Sequence, residues 1–102
     1  MIRRVVTTPT ADGDVRRIDA WWTEHRPLAP HLFREELAEA LSMIRSVPEI
    51  GRRYPRRGIP GLRRLVLRAT RHHVYYAVTD EAITILTVWS SLRGRGPKLV
   101  LP

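Results

Sequence analysis

The stretch from residue 62 to residue 90 is the part of this chain that most constrains its fold. Three apolar runs that alternate with polar residues occur at 62–69, 73–79 and 82–90, separated by links around Thr70-Arg71 and Asp80-Glu81. Strands joined by such short links pair with their neighbours in antiparallel fashion. The pattern therefore predicts a three-stranded antiparallel meander.

The side chains of this meander divide between two faces because a strand has a period of two residues. The apolar set is expected to face the rest of the chain and comprises Leu65, Leu67, Val74, Tyr76 and Val78. The opposite set, which we expect on an open cationic face, comprises Arg64, Val66, Arg68, His73 and Tyr75.

The first half of the chain predicts a strand at Ile2–Thr7 and then two helices. Thr8-Pro9 is a helix-start signal, although Gly13 leaves Asp14 as an alternative start, and Arg26-Pro27 ends the helix. The second helix is expected to begin at Pro30 and to end at Val47-Pro48. Its apolar stripe is Leu32, Phe33, Leu37, Ala40, Leu41 and Ile44, and its solvent face is Arg34, Glu35, Glu36 and Glu39.

These elements predict a single α+β domain over residues 1–102, with a helical hairpin on one face of the sheet. Residues 48–61 are rich in Pro, Gly and Arg and show no periodicity. They fit a solvated connection and a mobile basic flap equally well. The apolar tail Leu99–Leu101 leaves three roles open: it packs back, dimerises or reaches a target.

The charge is concentrated in the second half. Residues 51–102 contain 11 of the 18 basic residues and two of the ten acidic ones, and 11 − 2 gives a net charge of +9. Such a surface favours an acidic partner or a nucleic acid. No cysteine is present, so disulfides and Cys-based metal sites are excluded. With no predicted membrane span or signal peptide, we expect a cytoplasmic protein.

Residues suited to catalysis are few. His72 and His73 point to opposite faces of a strand and cannot easily share a metal ion, so we expect no metal and no cofactor. Cutting RNA requires a base, an acid and cations, and the open face offers only His73 and Tyr75 for proton transfer. The pair Trp21-Trp22 is interpreted as one core and one rim residue, or as a docking anchor.

Four segments together resemble the RelE/ParE toxin superfamily of bacterial toxin–antitoxin modules. They are AWWTEHRP at 20–27, APHLFREELAEALSMIRSVPEIG at 29–51, GLRRLVLRATRHHVYYAVTD at 61–80 and ITILTVWSSLRGRGP at 83–97. The resemblance implies a toxin that is neutralised by an acidic antitoxin whose C-terminal segment wraps around it. Relatives of the ParE branch inhibit DNA gyrase without hydrolysing anything, whereas those of the RelE branch cut messenger RNA in the ribosomal A site.

The chain is more similar to the ParE branch, through WW-x-EHRP and VWSSLRGRGP. The RNA-cutting pattern is matched by Arg64, Arg68 and Arg93, but His73 replaces an arginine and Val66 replaces a lysine. Ser90 stands where many relatives carry histidine, and no tyrosine follows Arg93. The resemblance therefore implies a gyrase inhibitor acting by protein–protein binding, more probably a non-enzyme than an enzyme.

From this resemblance we expect two contact surfaces. The target-binding set is Arg64, Arg68, Tyr75, Arg93 and Arg95, and the antitoxin-binding set is Trp21, Trp22, Leu37 and Leu41. One alternative is a ribosome-dependent endoribonuclease with Arg64, Arg68, His73 and Arg93 as catalytic residues. A second alternative is an inactive homologue that retains antitoxin binding.

Overall fold

A computed structural model describes residues 3–101, so Ile2, which we assigned to the first strand, lies outside the described residues. The helices and strands are β1 (Arg4–Thr7), α1 (Pro9–His25), α2 (Leu32–Ser46), β2 (Arg52–Arg53), β3 (Leu62–Leu67), β4 (His72–Val78) and β5 (Ala82–Ser90). The strand order is β1-β5-β4-β3-β2, and β1–β5 is the parallel pair. The predicted α+β fold and its meander are confirmed, while the two-residue strand β2 was not predicted.

Helix α1 begins at its predicted Thr-Pro signal. Thr8 is the N-cap, its Oγ1 accepts a hydrogen bond of 3.0 Å from the Ala11 amide, and Pro9 is the first helical residue. Gly13 therefore lies inside the helix, and the alternative start at Asp14 is wrong. The cap and the preset φ of proline outweigh the cost of an interior glycine, which is about 1 kcal/mol.

Helix α2 begins two residues later than predicted. The Arg26–Leu32 connection forms turns in which the Ala29 amide donates to the Arg26 carbonyl and the Leu32 amide donates to the Ala29 carbonyl. Pro30 belongs to this turn, and the helix starts at Leu32 after His31, which makes no side-chain capping bond. The short turn sets the start, because Ala29 must reach back to the end of α1.

The main core lies between the two helices and one face of the sheet. Its buried members are Ala11, Phe33, Leu37, Ala40, Ile44, Leu67, Val74, Tyr76, Ile83, Ile85 and Val88. Leu65 and Val78 pack against this cluster while partly exposed. The five strand residues predicted to face the helices therefore do so, because strand alternation holds along β3 and β4.

The start of α1 completes the edge of β5 where β1 ends. The pairing of β1 with β5 stops at Thr7 and Ile85, and Leu86 is an extra residue in the β4–β5 pairing, between the partners of Tyr75 and Tyr76. Beyond this bulge, Thr8 Oγ1 donates to the Leu86 carbonyl at 2.9 Å. The buried carboxylate of Asp14 accepts hydrogen bonds from the Val88 amide, at 3.1 Å, and from the Thr87 hydroxyl. Helix side chains thus satisfy backbone groups that no strand reaches.

Glu36 does not behave as a solvated residue of the α2 surface. Its carboxylate accepts hydrogen bonds from the Ala69 amide at 2.8 Å, from the Thr70 amide at 3.0 Å and from the Thr70 hydroxyl at 2.6 Å. The expectation that it lies on the solvent face is wrong, because the turn between β3 and β4 folds against α2. This contact fixes the turn relative to the helix.

The 48–61 connection is ordered and tied to the sheet at both ends. The Gly51 amide donates to the Tyr76 hydroxyl at 2.8 Å, and that hydroxyl donates to the Pro48 carbonyl at 2.7 Å. Ile59 is buried, and Gly61 has a φ of 73°, with the Val78 carbonyl occupying the place of any Cβ. Of the two interpretations left open, the structure favours a connection whose exposed part is its arginine-bearing tip.

Replacement of Asp14 by alanine is expected to lower the free energy of unfolding by about 2–3 kcal/mol, because a buried hydroxyl and a buried amide lose their acceptor. Urea denaturation with an unchanged m-value measures this loss. The matched control is Asp12→Ala, in the same first turns of α1 but exposed and bonded only to the Thr7 hydroxyl. It is expected to cost less than about 1 kcal/mol. Equal losses from the two substitutions contradict this role for Asp14.

Replacement of Glu36 by alanine is expected to cost about 1–2 kcal/mol, because three donors of the β3–β4 turn lose their acceptor in a part-buried site. The control is Glu39→Ala on the exposed face of the same helix, with an expected change within about 0.5 kcal/mol. Thermal unfolding followed by circular dichroism compares the two. A Glu36 variant as stable as the wild type shows that the turn does not depend on this carboxylate.

Candidate functional site

The face of the sheet opposite the helices is not open, as we expected, but partly covered. A second apolar cluster lies there, formed by Ile59, Leu62, Tyr75, Ala77 and Leu86, with Tyr54, Trp89 and Leu99 packed against it. The 54–62 loop covers it from one side. The C-terminal tail covers it from the other, where Leu99 packs against the cluster and the Trp89 Nε1 donates to the Arg95 carbonyl at 2.8 Å. Of the three roles left open for the tail, Leu99 thus packs back onto the core.

Tyr75 lies beneath this cover. Its side chain is 1% exposed, and its ring lies edge-on to that of Tyr54, with 5.1 Å between centroids. Burial raises the pKa of the Tyr75 phenol, and the neighbouring Arg64 guanidinium partly opposes that rise. The placement of Tyr75 on an open face is therefore wrong, because the loop and the tail supply apolar partners that local alternation does not reveal.

Arg64 and His73 are brought together at the border of this cluster. Arg64 pairs across the strands with Tyr75, and His73 pairs with Val66, so the two side chains are diagonal neighbours. The Arg64 Cζ lies 5.1 Å from the centre of the Tyr54 ring. Burial lowers the pKa of His73, and the positive charge of Arg64 lowers it further. His73 is therefore a neutral imidazole at neutral pH.

The remaining predicted arginines lie around the end of β5 and the β3–β4 turn. Arg93 places its Cζ 4.1 Å from the centre of the Trp89 ring, and Trp89 pairs across the strands with His73. The Arg95 side chain is exposed in the tail. Arg68 is also exposed, but in the turn beyond β3 and not on the strand where we expected it. The structure thus brings Arg64, His73 and the Trp89–Arg93 pair to one region, with Arg68 beyond its end.

This region is suited to binding anions more than to moving protons. Guanidinium groups bind carboxylates and phosphates through paired N–H donors. General acid–base chemistry needs two proton-transfer groups of suitable pKa, and after the burial of Tyr75 the predicted set retains only His73. Among residues 3–101, no group of His, Cys, Asp or Glu side chains has the geometry of a metal site.

A separate groove of about 680 Å³ lies between the C-terminal half of α1, the β3–β4 turn and the end of β5. Its lining residues are Arg17, Ile18, Trp21, Trp22, Arg26, Ala69, Thr70, Arg71, His72, Val88, Trp89, Ser90, Leu92 and Arg93. We call this surface the tryptophan groove. It includes two of the four residues predicted to bind an antitoxin.

The four antitoxin candidates differ in exposure. Trp21 is 43% exposed, and Trp22 is half-buried against the main core, which agrees with one rim and one core residue. Leu37 is buried in the core, so its side chain is unavailable to a partner, and Leu41 packs partly against the same core. Leu37 was misplaced because an amphipathic stripe does not show which of its members another element covers.

Several groove residues were missed by sequence reasoning. Trp22 and Arg26 are four residues apart on a helix, a spacing that places them side by side and that could have indicated the pair. The guanidinium of Arg26 lies 4.6 Å from the centre of the Trp21 ring and 5.5 Å from that of Trp22. Arg71 and His72 give no such signal, because only the folded turn brings them to α1.

The part of the chain that the structure describes contains no helix long and apolar enough to cross a membrane.

The comparisons with known proteins agree with this architecture. A family model for the ParE toxin of the parDE type II toxin–antitoxin system matches residues 5–94. No curated protein matches the chain. Among solved structures, a chromosomal ParDE toxin–antitoxin system from P. aeruginosa gives a TM-score of 0.68 at 21% identity, covering 87% of this chain and 96% of that one.

A second similar structure is the free state of a double-arginine mutant of the E. coli toxin RelE. It gives a TM-score of 0.56 at 17% identity and covers 90% of this chain and 86% of the other. At these identities the structural likeness shows the shared fold. The family model covers residues 5–94, from β1 to beyond the end of β5, and on that ground this chain belongs to the ParE toxin family of type II toxin–antitoxin systems.

Proposed function

We propose that this protein is a toxin that inhibits DNA gyrase by protein–protein binding, and that an acidic antitoxin neutralises it in the cytoplasm. The observation that carries the proposal is the ParE family match over residues 5–94. The net charge of +9 in residues 51–102 supports an acidic binding partner and a fast, salt-dependent association.

The exposed arginines around the second cluster support a binding role. Arg93 and Arg64 lie over aromatic rings, where the ring faces hold the guanidinium groups in place. Held in this way, an arginine loses less side-chain freedom when it meets a carboxylate or a phosphate. We propose Arg64, Arg68, Arg93 and Arg95 as the target-binding residues, with Tyr54 in the position that we had expected for Tyr75.

Purified toxin is expected to inhibit gyrase in a DNA supercoiling assay at micromolar concentration. Substitution of Arg64 and Arg93 together by alanine is expected to raise the inhibitory concentration at least about tenfold, because two preordered charged contacts are lost. The matched control is Arg57→Ala, at the exposed tip of the 54–61 loop. A folded wild-type toxin that leaves supercoiling unchanged removes gyrase as the target, and equal effects of all three substitutions remove the proposed surface.

One observation favours a second candidate function, cleavage of translated messenger RNA. His73 is neutral at neutral pH and lies beside Arg64, so it can accept a proton near a cation. The same surface lacks a second group of suitable pKa within the predicted set, and this is why we rank the endoribonuclease second.

Primer extension on translated messages in the presence of ribosomes is expected to show no cleavage by this toxin. If cleavage occurs, it must be lost in His73→Ala, retained in the exposed control His31→Ala, and independent of pH above about 6.5, where a histidine of lowered pKa is fully neutral. Activity must then fall as the pH drops below the lowered pKa. Cleavage with this dependence overturns the binding-only proposal.

A further inference from the structure

The tryptophan groove concentrates the three tryptophans of the chain in one place. Trp21 and Trp22 come from α1 and Trp89 from the end of β5, and together they are all the tryptophans in the sequence. Tryptophan is the side chain most enriched at the energetic centres of protein interfaces. Its concentration here indicates a contact surface on the face where α1 meets the turn.

The charge of the groove has a single sign. Four arginines line it, Arg17, Arg26, Arg71 and Arg93, and none of its lining residues is acidic. Arg17 is paired with Asp14 at 3.1 Å, and Arg26 uses one of its donors on the His25 carbonyl. Within residues 3–101, the Arg71 and Arg93 side chains donate no hydrogen bond to another residue. Most guanidinium donors of the groove are therefore free to bind an anion.

Apolar side chains contribute surface between these arginines. Ile18, Val88 and Leu92 line the groove, and Leu92 is largely exposed. A ligand that fits must combine negative charge with at least one apolar group, because a purely ionic ligand leaves this surface uncovered.

His72 supplies a further polar group. It also lines the groove, is 8% exposed, and its Nδ1 has no hydrogen-bond partner among the described residues. A buried polar atom left without a partner is uncommon and points to an absent ligand or water.

The aromatic rings are already covered by residues of the chain itself. His25 stacks on the Trp21 ring with 4.8 Å between centroids, Arg26 lies over the same ring, and Arg93 lies over Trp89. Nucleic-acid bases need open ring faces on which to stack. Carboxylates instead bind the guanidinium groups that cover the rings, so the arrangement favours an acidic peptide over a single-stranded nucleic acid.

We propose that the tryptophan groove binds an acidic peptide segment that carries a large apolar side chain, and that this segment belongs to the neutralising antitoxin. The identity of the partner rests on the proposed function, whereas the chemistry of the ligand rests on the groove alone. Carboxylates of the segment pair with Arg26 and Arg93, and the apolar side chain packs among the tryptophans. The proposal moves the main antitoxin contact from the outer face of the helical hairpin to the groove between α1 and the sheet.

Tryptophan fluorescence tests the proposal directly, because every tryptophan lies in the groove. The probe is a synthetic peptide of alternating glutamate and leucine, titrated into the full-length toxin without gyrase. A saturable change in emission is expected, together with reduced quenching by acrylamide. A peptide with lysine in place of each glutamate is expected to give no change. The double variant Arg26→Ala and Arg93→Ala is expected to weaken binding at least about tenfold, whereas the control Arg57→Ala leaves it unchanged.

Three results overturn the proposal: no saturable change with the acidic peptide, equal binding by the groove variant and the control, or tighter binding of oligothymidylate than of the peptide. The last result assigns the groove to nucleic acid. Acrylamide quenching of the wild-type protein decides the matter even if the double variant fails to fold. Because gyrase is absent from the experiment, failure here is distinct from failure of gyrase inhibition.

Discussion

The contact between Asp14 and β5 is the interaction on which the rest of this structure depends. The parallel pairing with β1 ends at Ile85, and a bulge at Leu86 then leaves backbone groups of β5 facing α1 and not a strand. Thr8 and Asp14 satisfy these groups from the first turns of the helix. A buried carboxylate is tolerated because it accepts from an amide and a hydroxyl at once. The contact fixes α1 over the end of β5, and the tryptophan groove lies between these two elements.

Arginine chemistry connects the fold to the proposed function. Ion pairs within residues 3–101 join only Arg17 to Asp14 and Arg34 to Asp19. Several other guanidinium groups rest on aromatic rings, among them those of Arg26, Arg64 and Arg93. Cation–π contacts hold these groups without neutralising their charge. The protein therefore presents preordered positive charge, which suits rapid capture by an acidic partner and an equally specific contact with a target.

Two surfaces at the end of β5 share residues, and this links neutralisation to inhibition. Trp89 and Arg93 line the tryptophan groove, and Trp89 also packs against the second cluster beside which Arg64 and His73 lie. A segment bound in the groove engages Arg93, which belongs to the proposed target surface as well. Competition for one arginine gives a simple physical basis for neutralisation, with no need for a change in the toxin fold.

The sequence by itself determined the elements that depend on local physics. Strand alternation and short links define the meander, and the Thr8-Pro9 cap begins α1. Only the tertiary structure decided that Glu36 holds the β3–β4 turn, that Tyr75 and Leu37 are buried, and that three tryptophans from two elements meet in one groove. These features arise from contacts between residues far apart in the chain. Period and capping signals describe neighbours along the backbone and contain no information about which distant segment covers a given face.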